Sequence, residues 1–236
     1  MSVIIAKSAG FCFGVSRAVE MVEQAAAVGK LTATLGPIIH NRHVVDKFQK
    51  LGVQVIDSPQ QAQAGMTVII RSHGVTRAVV QELESKGVEI LDATCPFVKR
   101  IHGIVEKAEE EGRLPVIIGT PSHPEVEGIA GWCRECKILE SAEQLENWAL
   151  TQGIPADLPI SMVCQTTSTE NSWKKSVQMA KKLFTNLKIF DTICKATEFR
   201  QTEAAQLSAE CQAMVVVGDT KSSNTGRLAM ICREHC

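Results

Sequence analysis

Short apolar runs alternate along this chain with longer segments in which apolar residues recur every three or four positions. Runs such as 32–35, 66–70 and 160–164 have the length of buried strands, and segments such as 15–29 and 76–86 have the period of amphipathic helices. Strands that alternate with helices predict a parallel α/β architecture. Because ligands bind at the carboxyl ends of parallel strands, polar residues directly after these runs are candidates for function.

One arrangement of these elements occurs three times. In each copy an apolar run leads to a cysteine that opens a helical segment, and the next apolar run ends at a glycine 24 residues after the cysteine. A polar residue follows four positions later. The cysteines, glycines and polar residues are Cys12, Gly36 and His40; Cys95, Gly119 and His123; and Cys194, Gly218 and Ser222. This internal repeat predicts three α/β units.

The predicted units are residues 13–95, residues 96–193, and residues 194–236 together with 1–12. Strands of the third unit are predicted at 3–6 and 215–217. The cysteine-to-cysteine steps are 83 and 99 residues, whereas only 43 residues run from Cys194 to the end. The third unit is therefore predicted to be incomplete, and the chain to be truncated at its C-terminus.

The three repeated cysteines are candidate metal ligands. A thiol at a helix N-terminus is expected to have a lowered pKa, because free N–H groups and the helix dipole stabilise the thiolate. Cys12, Cys95 and Cys194 could converge on a pseudo-threefold axis, where they would suit an iron–sulfur cluster with one iron free of protein ligands. A three-thiolate zinc site with an open position is the alternative metal centre, and structural turn residues are the non-metal alternative. An open metal position acts as a Lewis acid toward a hydroxyl group.

Polar residues at the predicted strand ends form a second candidate set: His40, His73, His123, Thr166, Ser222, Ser223 and Asn224. They suit a small polyanion such as a diphosphate, because histidine can be positively charged near neutral pH and hydroxyls and helix-start N–H groups bind oxygen atoms. Counting from the preceding histidine gives Thr166 roughly the place in unit two that His73 has in unit one. Glu125, two residues after His123, is the predicted proton donor, with Glu127 as its competitor.

The remaining cysteines and histidines have no partners in the repeat. Cys133 and Cys136 form a CxxC pair, which alone suggests zinc or redox chemistry, but no second pair with ligand spacing accompanies it. His43, His102 and His235 are predicted to lie on the surface. Cys164, Cys211, Cys232 and Cys236 are predicted to be core or incidental residues.

Composition narrows the function classes. With 44% apolar and 22% charged residues the chain is typical of globular proteins. The net charge of −1 gives no general attraction to nucleic acid or an anionic membrane, and no apolar run reaches transmembrane length. Nine cysteines without regular spacing favour reduced thiols or metal ligands over a disulfide framework, so a cytoplasmic location is expected.

Seven motifs resemble those of the 4-hydroxy-3-methylbut-2-enyl diphosphate reductase family, also called LytB or IspH. They run in order through the chain: GFCFGV at 10–15, HN at 40–41, SHGV at 72–75, DATCP at 92–96, HPEVEG at 123–128, QTT at 165–167 and SSN at 222–224. The resemblance implies a trefoil of three α/β units around a central [4Fe-4S] cluster, one iron of which lacks a protein ligand and would bind the substrate's hydroxyl.

The resemblance also implies residue roles and a reaction. Cys12, Cys95 and Cys194 match the cluster ligands, the seven strand-end residues match substrate-binding positions, and Glu125 matches the proton-delivering acid. The family ends the non-mevalonate isoprenoid pathway: it removes the substrate's hydroxyl with two electrons and two protons, giving isopentenyl and dimethylallyl diphosphate. Reduced ferredoxin or flavodoxin is the expected electron donor.

The chain departs from the family in one respect, since the family carries a further serine-bearing loop that binds the diphosphate and this sequence ends before it. We expect this form to bind its cluster poorly and to turn over weakly. Two other functions compete with the reductase. One is a [4Fe-4S] hydro-lyase acting on a small hydroxy acid without net electron transfer, and the other is a non-catalytic metal scaffold with structural histidines.

Overall fold

The first of two similar sheets lies between residues 13 and 92. The computed structural model describes residues 3–236, and its first sheet and helices are α1 (Phe13–Ala27), β1 (Thr32–Leu35), α2 (Arg42–Lys50), β2 (Gln54–Ile56), a 3₁₀ turn (Pro59–Gln61), β3 (Thr67–Ile70), α3 (Arg77–Ser85) and β4 (Glu89–Asp92). All four strands are parallel and pair in the order β2-β1-β3-β4.

The second sheet lies between residues 96 and 189 and repeats the first. Its elements are α4 (Pro96–Glu110), β5 (Leu114–Ile118), α5 (Pro124–Ala130), β6 (Lys137–Leu139), α6 (Ala142–Thr151), β7 (Ile160–Cys164), α7 (Glu170–Leu183) and β8 (Leu187–Ile189). The strands are again parallel, in the order β6-β5-β7-β8. The α/β fold class is confirmed, and the repeat is visible in the identical strand order.

The central strands and the helix starts explain why these residues form these elements. Every residue of β1, β3 and β7 is buried, as expected for parallel strands with helices on both faces. Polar side chains cap the helices: the Thr169 hydroxyl accepts a hydrogen bond from the N–H of Ser172 at 3.2 Å. That cap starts α7 at Glu170.

The last part of the chain contributes the helices α8 (Lys195–Glu210) and α9 (Ser223–Cys232). The predicted strands at 3–6 and 215–217 are wrong: the described residues 3–6 and 215–217 are irregular, and Val3, Val215 and Val217 are 86%, 87% and 89% exposed. A strand requires a neighbour that pairs with its backbone N–H and C=O groups, and no described strand lies beside either run. Residues 1–2, which belong to the predicted third unit, lie outside the described part.

The N-terminal segment instead packs on α8. The Glu203 carboxylate accepts hydrogen bonds from the backbone N–H groups of Lys7 and Ser8 at 2.7 and 2.8 Å, and Arg200 donates to the carbonyl of Gly10 at 2.6 Å. These contacts support the grouping of residues 1–12 with the third unit, and the unit boundaries stay a prediction. None of the helices within residues 3–236 has the length and apolarity needed to cross a membrane.

Candidate active site

The three repeated cysteines occupy the same local position. Cys12, Cys95 and Cys194 are the residues that precede α1, α4 and α8, and none of their side chains makes a capping hydrogen bond. The backbone N–H of Cys95 donates to the carbonyl of Ser72 at 2.9 Å, and that of Cys194 donates to the carbonyl of Thr166 at 3.0 Å. Both helix starts are therefore tied to the loop after a central strand of the sheet, β3 or β7, and the thiols remain available as ligands.

The thiols face one another. Cys12 and Cys194 are close enough to Cys95 to raise its pKa together with burial, which is the largest cause, and the N–H groups of Phe97 and Val98 oppose this rise. The expected lowering of the pKa at a helix N-terminus therefore does not hold for Cys95, because burial outweighs the helix amides. Since thiols bind metals as thiolates, loading this site would release protons.

The approach of α1 to Cys95 is tight. A Cβ atom built on Gly14 would lie 2.5 Å from the Cys95 Sγ atom, so any residue other than glycine at this position would displace that sulfur. Three uncapped, mutually facing thiols at helix starts suit the three-cysteine ligation of an iron–sulfur cluster. Among the described residues 3–236, no three histidine, cysteine, aspartate or glutamate side chains are grouped so that they could hold a single metal ion.

Three histidines from both sheets meet beside the cysteines. The ring centroids of His40 and His73 are 4.7 Å apart, those of His73 and His123 are 5.7 Å apart, and those of His40 and His123 are 6.4 Å apart. We call these three residues the histidine cluster. His40 follows the turn after β1, His73 follows β3, and His123 precedes α5, so the cluster lies at the carboxyl ends of the strands, as the sequence predicts.

Burial disfavours the charged form of the histidine cluster in the free protein. Burial lowers the pKa of all three imidazoles, that of His73 well below 6.5 and that of His123 to about 4, and the positive charge of Arg71 lowers them further. The Nδ1 atom of His73 is buried, and no group in the described part of the chain forms a hydrogen bond with it. In the free protein, burial therefore opposes the positive charge that these histidines are expected to supply near neutral pH, and that expectation for the bound state stays a prediction.

Two arginines that the sequence analysis missed supply positive charge here. Arg71 directly follows β3, and Arg227 lies one helical turn after Ser223 on α9; both lower the pKa of His123. The Nε atoms of both guanidinium groups are buried and have no hydrogen-bond partner among residues 3–236. Guanidinium groups without an acceptor are suited to phosphate oxygens. The position of Arg71 directly after a strand, next to Ser72 and His73, was a signal that could have identified it.

Glu125 and Thr166 form the best-defined contact of the site. The Glu125 side chain is only 2% exposed, and its two carboxylate oxygens accept hydrogen bonds from the backbone N–H and the hydroxyl of Thr166, at 2.6 and 2.7 Å. Burial raises the pKa of Glu125, and the two Thr166 donors partly oppose that rise. Glu127, the competing candidate, is exposed on the outer side of α5.

The strand register of the two sheets corrects the predicted correspondence between Thr166 of unit two and His73 of unit one. In the first sheet β3 ends at Ile70, which pairs with Leu35, and in the second sheet β7 ends at Cys164, which pairs with Ile118. The residue two positions after the strand end is therefore Ser72 in the first sheet and Thr166 in the second. Thr166 is therefore the counterpart of Ser72, and Thr167 is the counterpart of His73. Counting from the histidines failed because the connections between the paired strands differ in length.

The loop after β7 also contacts the start of α9. The hydroxyl oxygens of Thr167 and Ser223 are 2.9 Å apart, and the Gln165 Nε2 atom donates to Thr167 Oγ1 at 3.0 Å. Ser222 caps α9 through the N–H of Thr225, and Asn224 lies in the first turn of that helix. Asp219 and Lys221 lie near enough to His40 to shift its pKa, so the loop before α9 also reaches the histidine cluster.

His102 contradicts its predicted surface position. It is 4% exposed on α4, where its ring stacks on Trp132 with centroids 5.0 Å apart and an interplanar angle of 17°. Burial lowers its pKa to about 4. The prediction failed because nothing in the sequence indicated that Trp132 covers this face of α4. Cys133 and Cys136 lie apart from the site, in the turn after α5.

Two curated relatives and a family model cover nearly all of this chain. The model of the LytB protein family matches residues 3–236. The 4-hydroxy-3-methylbut-2-enyl diphosphate reductase of Caldanaerobacter subterraneus subsp. tengcongensis is 42% identical over 241 aligned residues, which span 100% of this chain and 82% of that protein. The protein of the same name from Clostridium perfringens is 39% identical over 239 residues, again with 100% and 82% coverage.

Solved structures agree with the sequence relatives. The E-1-hydroxy-2-methyl-but-2-enyl-4-diphosphate reductase from Plasmodium falciparum matches with a TM-score of 0.89 and 29% identity, over 95% of this chain and 71% of that chain. A structure of (E)-4-hydroxy-3-methyl-but-2-enyl diphosphate reductase, the terminal enzyme of the non-mevalonate pathway, matches with a TM-score of 0.75 and 37% identity, over 98% and 82%. The family predicted from the seven motifs is confirmed: the chain belongs to the LytB protein family.

Proposed function

We propose that this chain reduces 4-hydroxy-3-methylbut-2-enyl diphosphate to isopentenyl and dimethylallyl diphosphate, with two electrons and two protons, releasing the hydroxyl as water. The observation that carries the proposal is the position of one buried acid, Glu125, held by Thr166 beside the histidine cluster. The names of the relatives with which the chain aligns over its whole length support it.

The cofactor that fits the three thiols is a [4Fe-4S] cluster held by Cys12, Cys95 and Cys194. Three cysteine ligands leave the fourth iron without a protein ligand. When bound, such a cluster supplies electrons one at a time and a Lewis-acidic iron toward the substrate's hydroxyl. Because the thiols come from three separate helix starts, the loss of any one of them removes a ligand that its neighbours cannot replace.

The diphosphate binds, in this proposal, among the histidine cluster, Arg71 and Arg227 and the hydroxyl and amide groups around the start of α9, namely Thr167, Ser222, Ser223 and Asn224. The dianion lies close to imidazoles whose free pKa is lowered, and a nearby negative charge raises the pKa of histidine. The ligand therefore turns neutral histidines into charged donors as it binds. This coupling favours diphosphates over uncharged alcohols.

Glu125 delivers a proton to the leaving hydroxyl. Burial raises its pKa and so favours the protonated form that a general acid needs. Thr166 fixes the carboxyl group by two hydrogen bonds, which limits its rotation and keeps it at the edge of the site. Positioning of this kind is part of the rate enhancement, because the acid needs no rearrangement before the proton transfer.

Reduced ferredoxin or flavodoxin supplies the two electrons in this proposal, and the reaction takes place in the cytoplasm. The nine cysteines are all free thiols, which fits a reducing compartment. The dependence on an external reductant separates this function from the competing hydro-lyase, whose reaction has no net electron transfer.

The proposal is tested on anaerobically purified protein by iron and sulfide analysis and by Mössbauer spectra with and without the substrate. About four irons per chain, as in a [4Fe-4S] cluster, and a shift of the signal of one iron when the diphosphate is added would support the proposal and would overturn the expectation of poor cluster binding. Turnover must require reductant. Zinc in place of iron, or an iron spectrum that does not change when the diphosphate is added, would contradict the proposal. Turnover without reductant would favour the hydro-lyase.

A further inference from the structure

A second pair of cysteines lies outside the proposed site, in the turn that follows α5. Cys133 and Cys136 are both half-buried, and they pack against the apolar cluster that contains Val126 and Ile129 of α5. Two cysteines separated by two residues can come within the reach of a disulfide when the chain bends between them, and it bends at 133–134. The pair belongs neither to the three-cysteine site nor to the histidine cluster.

The residues around the pair hold the turn firmly on two other segments. The Trp132 Nε1 atom donates to the carbonyl of Val75 at 2.9 Å, and the guanidinium group of Arg77 lies 5.3 Å from the centre of the Trp132 ring. The backbone N–H of Arg134 donates to the Glu109 carboxylate at 3.0 Å. With its neighbours anchored, the turn keeps the two sulfur atoms close together instead of letting them separate.

The two thiols differ in their surroundings. Their mutual contact is the largest cause that raises the pKa of Cys133 and lowers that of Cys136. The Cys133 Sγ atom also lies 3.5 Å from the carbonyl oxygen of Ala130, to which its S–H donates, and nearby Glu109 opposes a negative charge on it. The positive charge of Arg77 lowers the pKa of Cys133, and the negative charge of Glu135 raises the pKa of Cys136. Both effects are weaker than that of the mutual contact. Cys136 is therefore the thiol that ionises first.

We propose that Cys133 and Cys136 are a reversible redox pair that forms a disulfide by exchange with a low-molecular-weight disulfide such as oxidised glutathione. The Cys136 thiolate attacks one sulfur of the small disulfide and releases one small thiolate. Cys133 then loses its proton and attacks the Cys136 sulfur of the mixed disulfide, which releases the second small thiolate. The protein loses two electrons and two protons, and the small disulfide is reduced to two thiols.

Oxidation of the Cys133–Cys136 pair is expected to affect α5 by removing one hydrogen bond. The Ala130 carbonyl that accepts from the Cys133 thiol belongs to the last residue of α5, and forming the disulfide removes that donor. At the other end of the same helix, the Nδ1 atom of His123 accepts a hydrogen bond from the N–H of Glu125 at 3.1 Å. Oxidation is therefore expected to loosen the C-terminal turn of a helix that also carries the proposed acid. The redox pair itself does not depend on the proposed function.

The test equilibrates the anaerobic, cluster-containing protein with mixtures of reduced and oxidised glutathione, blocks free thiols with N-ethylmaleimide and identifies the peptides by mass spectrometry. We expect the peptide that contains residues 133 and 136 to lose two hydrogens, with the oxidised fraction following the ratio of oxidised glutathione to the square of reduced glutathione. Alkylation of both thiols at every ratio would overturn the proposal. Cys211, which is half-buried and has no cysteine nearby in the chain, serves as the internal control.

Two serine variants test the order of attack without depending on enzyme activity. Cys133→Ser is expected to accumulate glutathione on Cys136, because the resolving thiol is absent, whereas Cys136→Ser should leave Cys133 at least tenfold less modified at the same ratio. Equal modification of the two variants would overturn the assignment of Cys136 as the attacking thiol. Hydrogen exchange of residues 126–130 in the oxidised and reduced wild type tests the link to α5, and unchanged exchange would refute that link.

Discussion

Thr166 donates both its backbone N–H and its hydroxyl to the Glu125 carboxylate, at 2.6 and 2.7 Å, while its own carbonyl accepts the N–H of Cys194 at 3.0 Å. One residue thus connects the proposed acid to one of the proposed cluster ligands. The connection does not depend on any bound group, since all three hydrogen bonds lie within the chain. A shift of the loop after β7 would move the acid and the cysteine together.

Replacing the acid tests its role most directly. Glu125→Gln keeps the size of the side chain but removes the transferable proton, so turnover is expected to fall by about 10²–10⁴-fold, the usual contribution of a positioned acid. Iron content should stay at the wild-type level. Glu146→Gln, at an exposed position of α6 away from these contacts, is the control and should keep near-normal turnover. If the two variants have equal activity, Glu125 is not the acid.

Removing the Thr166 hydroxyl tests how the acid is tuned. Thr166→Val deletes one of the donors that lower the pKa of Glu125 but keeps the backbone N–H, so the pKa should rise further. Because the protonated carboxyl is the active form, the alkaline fall of the turnover rate should move to higher pH. The shift is measured in the pH profile under excess reductant. Thr166→Ser retains the hydroxyl and should keep the wild-type profile; a shift in both variants alike would contradict this account.

A single methyl group tests the three-cysteine site. Gly14→Ala places a Cβ atom 2.5 Å from the Cys95 sulfur, whereas Gly103→Ala, within α4, meets no atom within 4 Å. We expect the first variant to lose most of its iron and sulfide after anaerobic reconstitution. The second should bind both normally and gain up to about 1 kcal/mol in stability, because alanine favours the helix. Normal iron content in Gly14→Ala would mean that Cys95 is not a ligand.

Binding of the diphosphate should take up protons. The pKa of each imidazole in the histidine cluster is lowered in the free protein, and a bound dianion raises it again, so histidines become protonated on binding near pH 7. Titration calorimetry in buffers of different ionisation enthalpy measures the number of protons. Arg71→Gln removes a cation that holds these pKa values down, so both affinity and proton uptake should fall, while the exposed Arg100→Gln should change neither. Proton release on binding would disprove this coupling.

His102 should make stability depend on pH below about 6.5. Its pKa is about 4 in the folded chain against 6.5 when unfolded, so the unfolded chain binds the proton first and stability is lost as pH falls from 6.5 toward 4. Between pH 7.5 and 5.5 this one residue accounts for about 1.4 kcal/mol, or about 3–6 °C in Tm. Thermal unfolding of His102→Gln should show a correspondingly smaller difference between the two pH values. An unchanged difference would assign the loss to other groups.

The sequence predicts some features of this molecule far better than others. Strands such as β1 and β7 are predicted to the residue, because central parallel strands are continuous apolar runs bounded by glycine or polar residues. The apolar runs at 3–6 and 215–217 have the same pattern but no strand to pair with, and pairing is a tertiary property that a local pattern does not contain.

The residues of the candidate site also differ in how well the sequence predicts them. The cysteines, the histidine cluster and Glu125 repeat at regular spacings or match motifs, so they could be chosen before the structure was known. Arg71 and Arg227 have no repeat partner, and only the position of Arg71 directly after a strand gave a signal in the sequence. The burial of their Nε atoms without an acceptor among residues 3–236 is a property that only packing determines. His102 was assigned to the surface for the corresponding reason, because Trp132, thirty residues away along the chain, covers it.

The contact between Ser8 and Glu203 joins residues that are 195 positions apart. During synthesis, residues 7–10, which lead into Cys12, therefore lack their partners Arg200 and Glu203 until α8 has been made, although Cys12 precedes α8 in the chain. Contacts of such long sequence separation form late, since the intervening chain must first be ordered. The first and last of the three thiols thus meet only after the residues between them have been made and α8 has formed, so a cluster held by all three is added after that point.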